Sequence, residues 1–104
     1  MSFKVKLTTE AELDLVRLFE FVLQRELERG GDLELAQRAL GAIKDGLEML
    51  ESYPFNCRKA TENAFLREIV IPFGHSGYVA LFEIVDGSTV VVAAVRHQLE
   101  DDYH

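Results

Sequence analysis

The residues best suited to chemistry lie near the end of the chain, directly after an apolar run. Val90–Val95 are all small or β-branched, a pattern typical of an internal strand buried on both faces. Arg96–Gln98 follow at once, and the chain continues as Glu100–His104. A rigid strand that ends in ionisable side chains could support proton transfer by His97, or it could present these side chains to a binding partner.

The same stretch contains residue types that bind metal ions, but their spacing does not describe a coordination site. The candidate ligands are His97, Glu100, Asp101, Asp102 and His104. They are crowded at one end of the chain rather than placed at the intervals of a defined coordination geometry. We therefore interpret them as a solvated acidic segment and expect neither a metal nor another cofactor.

Two other positions carry groups that could act as nucleophiles. Ser76 lies in Gly74–Gly77, which differs in spacing from a nucleophile elbow and joins two predicted strands rather than a strand and a helix. Cys57 lies beside Arg58 and Lys59, whose charges could lower the pKa of its thiol. We interpret Cys57 as an ordinary loop residue rather than half of a Cys–His pair. A single cysteine excludes an internal disulfide and fits a reducing compartment.

Two arginines lie within otherwise apolar predicted strands, where an unpaired charge is costly. Arg67 could pair in the neighbourhood of Glu68 or Glu83 across the sheet, or point to the open face of the sheet. Arg96 and His97 are consecutive, so their side chains should face opposite sides of the last strand. Pairing of Arg96 with the acidic residues after it is favoured over a catalytic role.

The excess of acidic over basic residues limits the kinds of molecule that the protein could bind. Of 104 residues, 18 are acidic and 11 are basic, which gives a net charge of −7. This argues against broad nucleic-acid binding, which requires a face of Lys and Arg, and is compatible with a basic partner. The hydrophobic fraction of 48% is ordinary for a globular protein, and no apolar run has the length of a membrane span. Because the first residues also lack a signal-peptide pattern, we expect one cytoplasmic domain over residues 1–104.

The elements that position these residues follow from the hydrophobic periodicity. Residues 3–7 alternate apolar and basic, which predicts an edge strand guarded by lysines. Two helices flank Gly30-Gly31 and form an αα-hairpin. The first runs from Glu10 to about Arg29 after an N-cap at Thr8 or Thr9, and the second follows an N-cap at Asp32 and ends at Tyr53. Residues 55–63 read as a loop, and three strands over 64–72, 78–85 and 89–97 form an antiparallel meander. The predicted fold is α+β, a two-layer β-α-α-β-β-β domain whose helical hairpin packs on a small, mainly antiparallel sheet.

Some residues in this architecture have no evident partner within the chain. Phe21 falls in the middle of the polar face of the first helix, and Leu13 lies just beyond the edge of its apolar stripe. Both could be ordinary exposed residues or parts of a partner surface. Gly41 and Gly46 would allow another chain to approach the second helix closely. Because the strands carry apolar residues on both faces while the helices cover only one, we expect a protein partner.

The element order and two stretches resemble the RelE/ParE toxin superfamily of bacterial toxin–antitoxin modules. The stretches are FLREIVIPFGHSGYVALFEIVDG and VVVAAVRHQLEDDY, residues 65–87 and 90–103. The resemblance covers essentially the whole chain and is closest to the ParE, or plasmid-stabilisation, branch. It implies a small cytoplasmic toxin held inactive by a ParD-like antitoxin that wraps across the helices and the sheet. The residues expected to contact that antitoxin are Leu13, Phe21, Phe65, Arg67, Tyr78 and Phe82.

The superfamily has two activities, and the resemblance favours one of them. RelE-like members cleave mRNA on the ribosome with a metal-free cluster of basic residues and a tyrosine, whereas ParE-like members lack that cluster and inhibit DNA gyrase. Aligned on Gly77-Tyr78, the positions of the nuclease cations are occupied here by Val70, Pro72, Val79 and Gln98, and only Tyr103 matches. Cleavage without those cations would lose its main stabilisation of developing phosphate charge.

The resemblance therefore implies a gyrase inhibitor that acts by binding rather than by catalysis. The residues expected to contact the target are Arg96, His97, Gln98 and Tyr103. One alternative is a ribosome-dependent endoribonuclease with a displaced site formed by Arg67, Arg96, His97 and Tyr103. Another is a non-toxic homologue that only binds an antitoxin. Neither a nucleic acid nor a membrane is expected as a direct partner.

Overall fold

The structure, a computed structural model, describes residues 2–99 and shows two helices packed on one face of a five-stranded mixed sheet. The strands are β1 (Lys4–Leu7), β2 (Arg58–Lys59), β3 (Leu66–Phe73), β4 (Ser76–Asp86) and β5 (Thr89–His97), and the helices are α1 (Thr9–Arg29) and α2 (Leu35–Glu48). The strand order is β1-β5-β4-β3-β2, with β1 parallel to β5 and the other pairs antiparallel. The predicted α+β fold is confirmed. In the described part of the chain, no helix has the length and apolarity that a membrane crossing requires.

The helix boundaries follow from their capping residues. Thr8 caps α1, because its Oγ1 accepts a hydrogen bond from the Ala11 N–H at 3.0 Å. Gly30 ends α1 with a φ of 67°, a left-handed conformation that favours glycine. The second helix begins at Leu35 with Glu34 at its N-cap, so the prediction of Asp32 as the N-cap is wrong. The Asp32 carboxylate instead accepts the Glu34 N–H at 2.9 Å and caps the turn that precedes α2.

The connection between α2 and β3 contains more structure than the predicted loop. Two short 3₁₀ helices, Met49–Glu51 and Pro54–Asn56, are followed by β2, which pairs with β3. Strand β2 has only two residues, which is too short to give a periodic signal in the sequence. Its Arg58 lies directly opposite Glu68 and forms an ion pair with it at 2.7 Å.

The predicted pairing of Arg67 with Glu68 or Glu83 is therefore wrong. Arg67 donates hydrogen bonds to three backbone carbonyls, those of Ala64 at 2.7 Å, Phe55 at 3.0 Å and Cys57 at 2.7 Å. Its guanidinium also lies 5.3 Å from the centre of the Phe55 ring. Arg67 thus holds the α2–β3 connection against the start of β3.

The core lies between the helices and the sheet face toward them, which we call the covered face. Its fully or almost fully buried residues include Leu18, Ile43, Leu47, Leu50, Ile69, Ile71, Ala80, Phe82, Ile84, Val90, Val92 and Val95. Phe82 is 0% exposed. The prediction that Phe82 contacts a partner is wrong, because its ring fills the space between the two layers.

Gly46 permits a close contact within the chain rather than with another chain. A Cβ atom at this position would lie 2.6 Å from Cγ1 of Ile71 on β3, so a side chain cannot be accommodated without movement. A Cβ atom at Gly41 would meet nothing within 4 Å. The glycine at position 46 therefore allows α2 to lie directly on the sheet.

Strand β5 lies inside the sheet, between β1 and β4, but it is not buried on both faces. Val90, Val92 and Val95 are 0% exposed on the covered face, whereas Val91 and Ala94 are half-buried on the opposite, open face. The prediction of an internal strand is confirmed. The prediction of burial on both faces is wrong, because the helices cover only one.

A β-bulge at Ala93 determines which side chains at the end of β5 face the helices. Phe82 pairs with Val92, but Leu81 pairs with Ala94, so one extra residue is inserted in β5. The inserted residue shifts the alternation, and Val95 and His97 rather than Ala94 and Arg96 face α1.

Two polar contacts fix α1 over this bulge. The Thr8 hydroxyl donates to the Ala93 carbonyl at 3.2 Å, and the Asp14 carboxylate accepts the Val95 N–H at 2.9 Å. These bonds join the first helix to the strand whose end carries the predicted target-binding residues.

Candidate functional site

A groove of about 750 Å³ lies between α1 and the end of the sheet where β3 turns into β4 and where β5 ends. Its floor is apolar and includes Leu18 and Val22, each 5% exposed, and Tyr78, which is 4% exposed. One rim is formed by α1, and the other by the β3–β4 turn and the residues after β5. The volume is in the range of pockets that bind ligands or peptide side chains.

The α1 rim of the groove repeats at four-residue intervals. Arg17, Phe21, Arg25 and Arg29 all line it, because a step of four residues returns to nearly the same side of a helix. Phe21 is 62% exposed, and the guanidinium of Arg25 lies 5.9 Å from the centre of its ring. The exposed Phe21 noted in the sequence is therefore a groove residue.

A buried carboxylate holds two of these arginines in place. Glu26 is 1% exposed, and its Oε2 lies 2.7 Å from Nε of Arg29 and 3.5 Å from Nε of Arg25. Its Oε1 also accepts the backbone N–H of Asp32 at 3.0 Å. The hydrogen bond from Arg29 holds the pKa of Glu26 below its usual value of 4.5, although burial acts in the opposite direction. Gly31 leaves the space that this carboxylate occupies.

His97 closes the far side of the groove. Its Nε2 lies 3.0 Å from Oγ of Ser76, and its Nδ1 accepts the backbone N–H of Leu99 at 3.2 Å. Its ring also meets the Tyr78 ring edge to face at 5.5 Å. Since Nδ1 is an acceptor, the neutral ring carries its proton on Nε2 and donates to Ser76. A base that activates Ser76 would need the opposite tautomer, so this contact links two elements rather than preparing a nucleophile.

The hydroxyl of Tyr78 and the thiol of Cys57 both have a raised pKa. Burial raises the pKa of the Tyr78 hydroxyl, and the nearby charge of Arg25 partly opposes this effect. Burial also raises the pKa of the Cys57 thiol, so the predicted lowering by Arg58 and Lys59 is wrong. Among residues 2–99, no group of three His, Cys, Asp or Glu side chains is placed to hold a metal ion.

On the open face, two positions of the nuclease pattern, Val70 and Val79, lie side by side with Arg96 next to them. Val70 lies directly opposite Val79 on β4, which in turn lies opposite Arg96 on β5. Val70 is 37% exposed and Val79 is 1% exposed. We call these three residues the open-face row. It is apolar in two of its three positions, with Arg96 at the β5 end.

The predicted target-binding residues are divided between the two faces. Arg96 belongs to the open-face row and His97 to the groove, as expected for consecutive strand residues. Gln98 is exposed, and its N–H donates to the Gly77 carbonyl at 2.8 Å. Tyr103 lies outside the described residues.

The six predicted antitoxin contacts do not form one surface. Leu13, Phe21 and Phe65 are 61%, 62% and 52% exposed, but only Phe21 and the buried Tyr78 line the groove. Phe65 lies at the opposite end of β3, where its ring centre is 6.1 Å from that of Phe55. Phe82 is in the core.

Sequence reasoning missed the groove because it joins segments that are distant in the chain. The available signal was the spacing of Arg17, Phe21, Arg25 and Arg29, which places one aromatic and three cationic side chains on the same side of a helix. A second signal was Glu26, a charged residue within the apolar arc of that helix.

Comparison with known proteins identifies the family of the chain. The chain matches the model described as the ParE toxin of the type II toxin-antitoxin system parDE over residues 5–102. It is 32% identical over 100 residues to Toxin RelE1 of Caulobacter vibrioides, with 96% of this chain and 98% of that protein covered.

A solved structure titled "Chromosomal ParDE TA system from P. aeruginosa" contains a chain with a similar fold. The TM-score is 0.69 at 18% sequence identity, and the match covers 92% of this chain and 96% of that one. At this identity the likeness supports the fold alone. Since the family model spans nearly the whole sequence, the protein belongs to the ParE toxin family of type II toxin–antitoxin systems.

Proposed function

We propose that this protein is a ParE-like toxin that inhibits DNA gyrase by binding, and that a cognate antitoxin neutralises it. The family match supports the role of toxin, and the relative from P. aeruginosa, whose title names a ParDE system, supports an antitoxin as partner. The choice of gyrase over mRNA as target rests on the open-face row.

The open-face row is the observation that carries this choice. Where the nuclease pattern places cations, Val70 and Val79 lie side by side with Arg96. Cleavage of RNA requires cationic groups that stabilise the charge developing on the phosphate. Two valines cannot supply this stabilisation, so this part of the sheet is less suited to cleave a phosphodiester than to bind a protein through Val70 and Arg96.

The alternative nuclease site is not supported by the placement of its members. Arg67 lies opposite Phe82 and His97 lies opposite Tyr78, four residues apart on β4, which is roughly 13 Å along the strands. The guanidinium of Arg67 already binds three carbonyl groups. Arg96 and His97 face opposite sides of the sheet, and Tyr103 lies outside the described residues.

The experiment that tests the proposal measures gyrase directly. The purified protein should inhibit supercoiling or increase gyrase-dependent DNA cleavage, and the antitoxin encoded beside it should relieve this effect. Truncation after Val95 should abolish inhibition, because it removes the predicted target contacts. Circular dichroism checks its folding, and the double variant Arg96→Ala/His97→Ala repeats the test without shortening the strand.

Two outcomes would contradict the proposal, and a third would contradict the predicted target contacts. Unchanged gyrase together with codon-specific cuts in mRNA from a translating extract would assign the ribonuclease activity instead. Unchanged gyrase and intact mRNA, with antitoxin binding retained, would identify a non-toxic antitoxin-binding homologue. Full inhibition by a folded truncated protein would remove the last residues from the target contact.

A further inference from the structure

The last part of β5 has a neighbouring strand on one side only. Within residues 2–99, β1 pairs with β5 from Thr89 to Val92, and the Thr8 N–H donates to the Val92 carbonyl at 3.0 Å where this pairing ends. Beyond that point β4 continues beside β5 up to His97. The backbone groups of residues 93–97 that point away from β4 therefore lie along an edge of the sheet, where they need other partners.

Two side chains from the beginning of α1 bind this edge. The Thr8 hydroxyl donates to the Ala93 carbonyl at 3.2 Å, and Oδ2 of Asp14 accepts the Val95 N–H at 2.9 Å. The side chain of Asp14 is only 27% exposed, so its carboxylate is partly withdrawn from competing water. Thr8 and Asp14 thus bind groups that a further stretch of β1 would otherwise bind.

These contacts favour one of two possible pairings between β5 and β4. In the structure Leu81 pairs with Ala94, and Ala93 is the inserted residue of the bulge. If Ala93 paired with Leu81 instead, every later residue of β5 would move by one position and change face. Because both candidates are alanines, their own side chains do not distinguish the two pairings.

The shifted pairing would exchange the surfaces on which Arg96 and His97 lie. Arg96 would lie opposite Tyr78 and face the groove, and His97 would turn to the open face. On the covered face Ala94 would replace Val95, which loses only the burial of the methyl groups by which valine exceeds alanine. The Val95 N–H would turn toward β4 and away from the carboxylate of α1. The bond to that carboxylate therefore adds directly to the preference for the observed pairing.

We propose that Asp14 is a positioning residue for target binding, supported by Thr8: by binding the edge of β5, it keeps Arg96 on the open face and His97 in the groove. The inference rests on the proposed function, because it presumes that Arg96 and His97 contact the target. It adds the beginning of α1 to the parts of the molecule on which inhibition depends.

The first test compares two aspartates that make the same kind of bond in different places. Asp32 accepts the Glu34 N–H at 2.9 Å, as Asp14 accepts that of Val95, but it lies between the two helices and does not line the groove. Each aspartate is changed to alanine in the full chain, and the concentration that half-inhibits gyrase supercoiling is measured. Asp14→Ala should raise it at least about fivefold and Asp32→Ala less than about twofold. Thermal unfolding shows whether both variants are folded and how much stability each has lost.

A conservative variant separates the backbone bond from the charge. The amide oxygen of Asp14→Asn still accepts the Val95 N–H, so this variant should recover most of the inhibition that Asp14→Ala loses. An equal loss in both variants would overturn the inference, because it would mean that the charge of the carboxylate is what the target requires. Thr8 is less suited to this test, since its hydroxyl also caps α1.

Deletion of Ala93 provides a rescue that involves no new contact. Without the inserted residue, Ala94 follows Val92 in the ladder with β4, and Arg96 keeps its face in a regular strand. Added to Asp14→Ala, the deletion should bring inhibition back to within about threefold of the wild type. A folded double variant that stays as weak as Asp14→Ala would contradict an action through the bulge.

Nuclear magnetic resonance reports the placement of His97 without the target. The rings of His97 and Tyr78 meet edge to face at 5.5 Å, so nuclear Overhauser effects between them are expected in the wild type. Asp14→Ala should weaken these effects and speed hydrogen exchange of the Val95 amide at least about tenfold. Asp14→Asn and Asp32→Ala should leave both signals close to those of the wild type.

The failures of the two proposals are distinguishable. If the wild type leaves gyrase unchanged, the proposed function fails, and the resonance and exchange measurements still decide whether Asp14 positions His97. If the wild type inhibits gyrase but Asp14→Ala behaves as Asp32→Ala does, the positioning inference is overturned and gyrase inhibition stands.

Discussion

The covered and open faces of the sheet carry similar residues but are used differently. On the covered face, Phe82, Val92 and Val95 are 0% exposed beneath the helices. On the open face, Leu81, Val91 and Ala94 are only half-buried. The first set has its packing partners within the chain, whereas the second keeps part of its apolar surface in contact with solvent.

This difference shows that a shift of one residue along a strand decides on which face of the sheet a functional side chain lies. Arg96 and His97 are neighbours in sequence, yet one joins the open-face row and the other closes the groove. The bulge at Ala93 makes this assignment, since strict alternation from Val90 and Val92 would place Arg96 toward the helices.

The strongest test of the comparison removes one large side chain from each face. Phe82→Ala should lower the free energy of unfolding by about 3–5 kcal/mol, because it opens a cavity in the core. Leu81→Ala, the neighbouring position on the open face, should lower it by less than about 2 kcal/mol. Urea denaturation measures both values. Equal losses would show that the open face is packed as tightly as the covered one.

The next test uses the two glycines of α2. Gly46→Ala should destabilise the protein by about 1–3 kcal/mol, because its Cβ would press on Ile71 of the covered face. Gly41→Ala should instead stabilise it by up to about 1 kcal/mol, since alanine favours the helix and its Cβ meets nothing within 4 Å. The same urea titration checks both. A neutral Gly46→Ala would mean that α2 can move away from the sheet.

These contrasts also show what the sequence could reveal. Four of the five strands and the helical hairpin were predictable, because the alternation in residues 66–73 and the Gly30-Gly31 break act locally, whereas the two-residue strand β2 gave no periodic signal. The bulge at Ala93 was not, since alanine gives no turn or glycine signal and the insertion is defined only by pairing with β4. The burial of Phe82 was not predictable either, because it depends on which face of the sheet the helices cover. Exposure of Leu13 and Phe21 followed from the helical wheel.

The candidate site was less predictable than the fold for the same physical reason. His97 was identified from its place after an apolar strand, but its bond to Ser76 joins residues 21 positions apart. The groove required α1 to lie beside the end of β5, a position set by contacts such as Asp14 to Val95. Side-chain type and local spacing do not encode such long-range contacts.

A smaller effect is expected on the groove side of α1, where the stability of the protein should depend on pH through Glu26. The pKa of Glu26 is lowered in the folded state, mainly by the hydrogen bond from Arg29. A carboxyl with a lowered folded pKa contributes stability above its usual value of 4.5 and loses it as the pH falls through the folded value. Glu26→Gln should therefore lower the melting temperature most near neutral pH, and the difference from wild type should shrink below about pH 4.5.

Thermal unfolding followed by circular dichroism across that pH range checks this expectation. Glu20→Gln, the same chemical change on an exposed position of α1, is the control and should leave the profile unaltered. A melting-temperature difference that does not vary with pH would mean that Glu26 acts through packing rather than through its charge.

The smallest effect is expected where the two faces meet at the end of β5. Ser76→Ala removes one partly buried hydrogen bond to His97, so it should cost about 0.5–1.5 kcal/mol of stability. Gyrase inhibition should stay within about twofold, because the His97 tautomer set by the Leu99 N–H leaves Ser76 without a base. Arg96→Ala, on the open face, should instead reduce inhibition. If Ser76→Ala abolished toxicity in a folded protein while Arg96→Ala retained it, the groove would have to be the active surface and the open-face row a structural one.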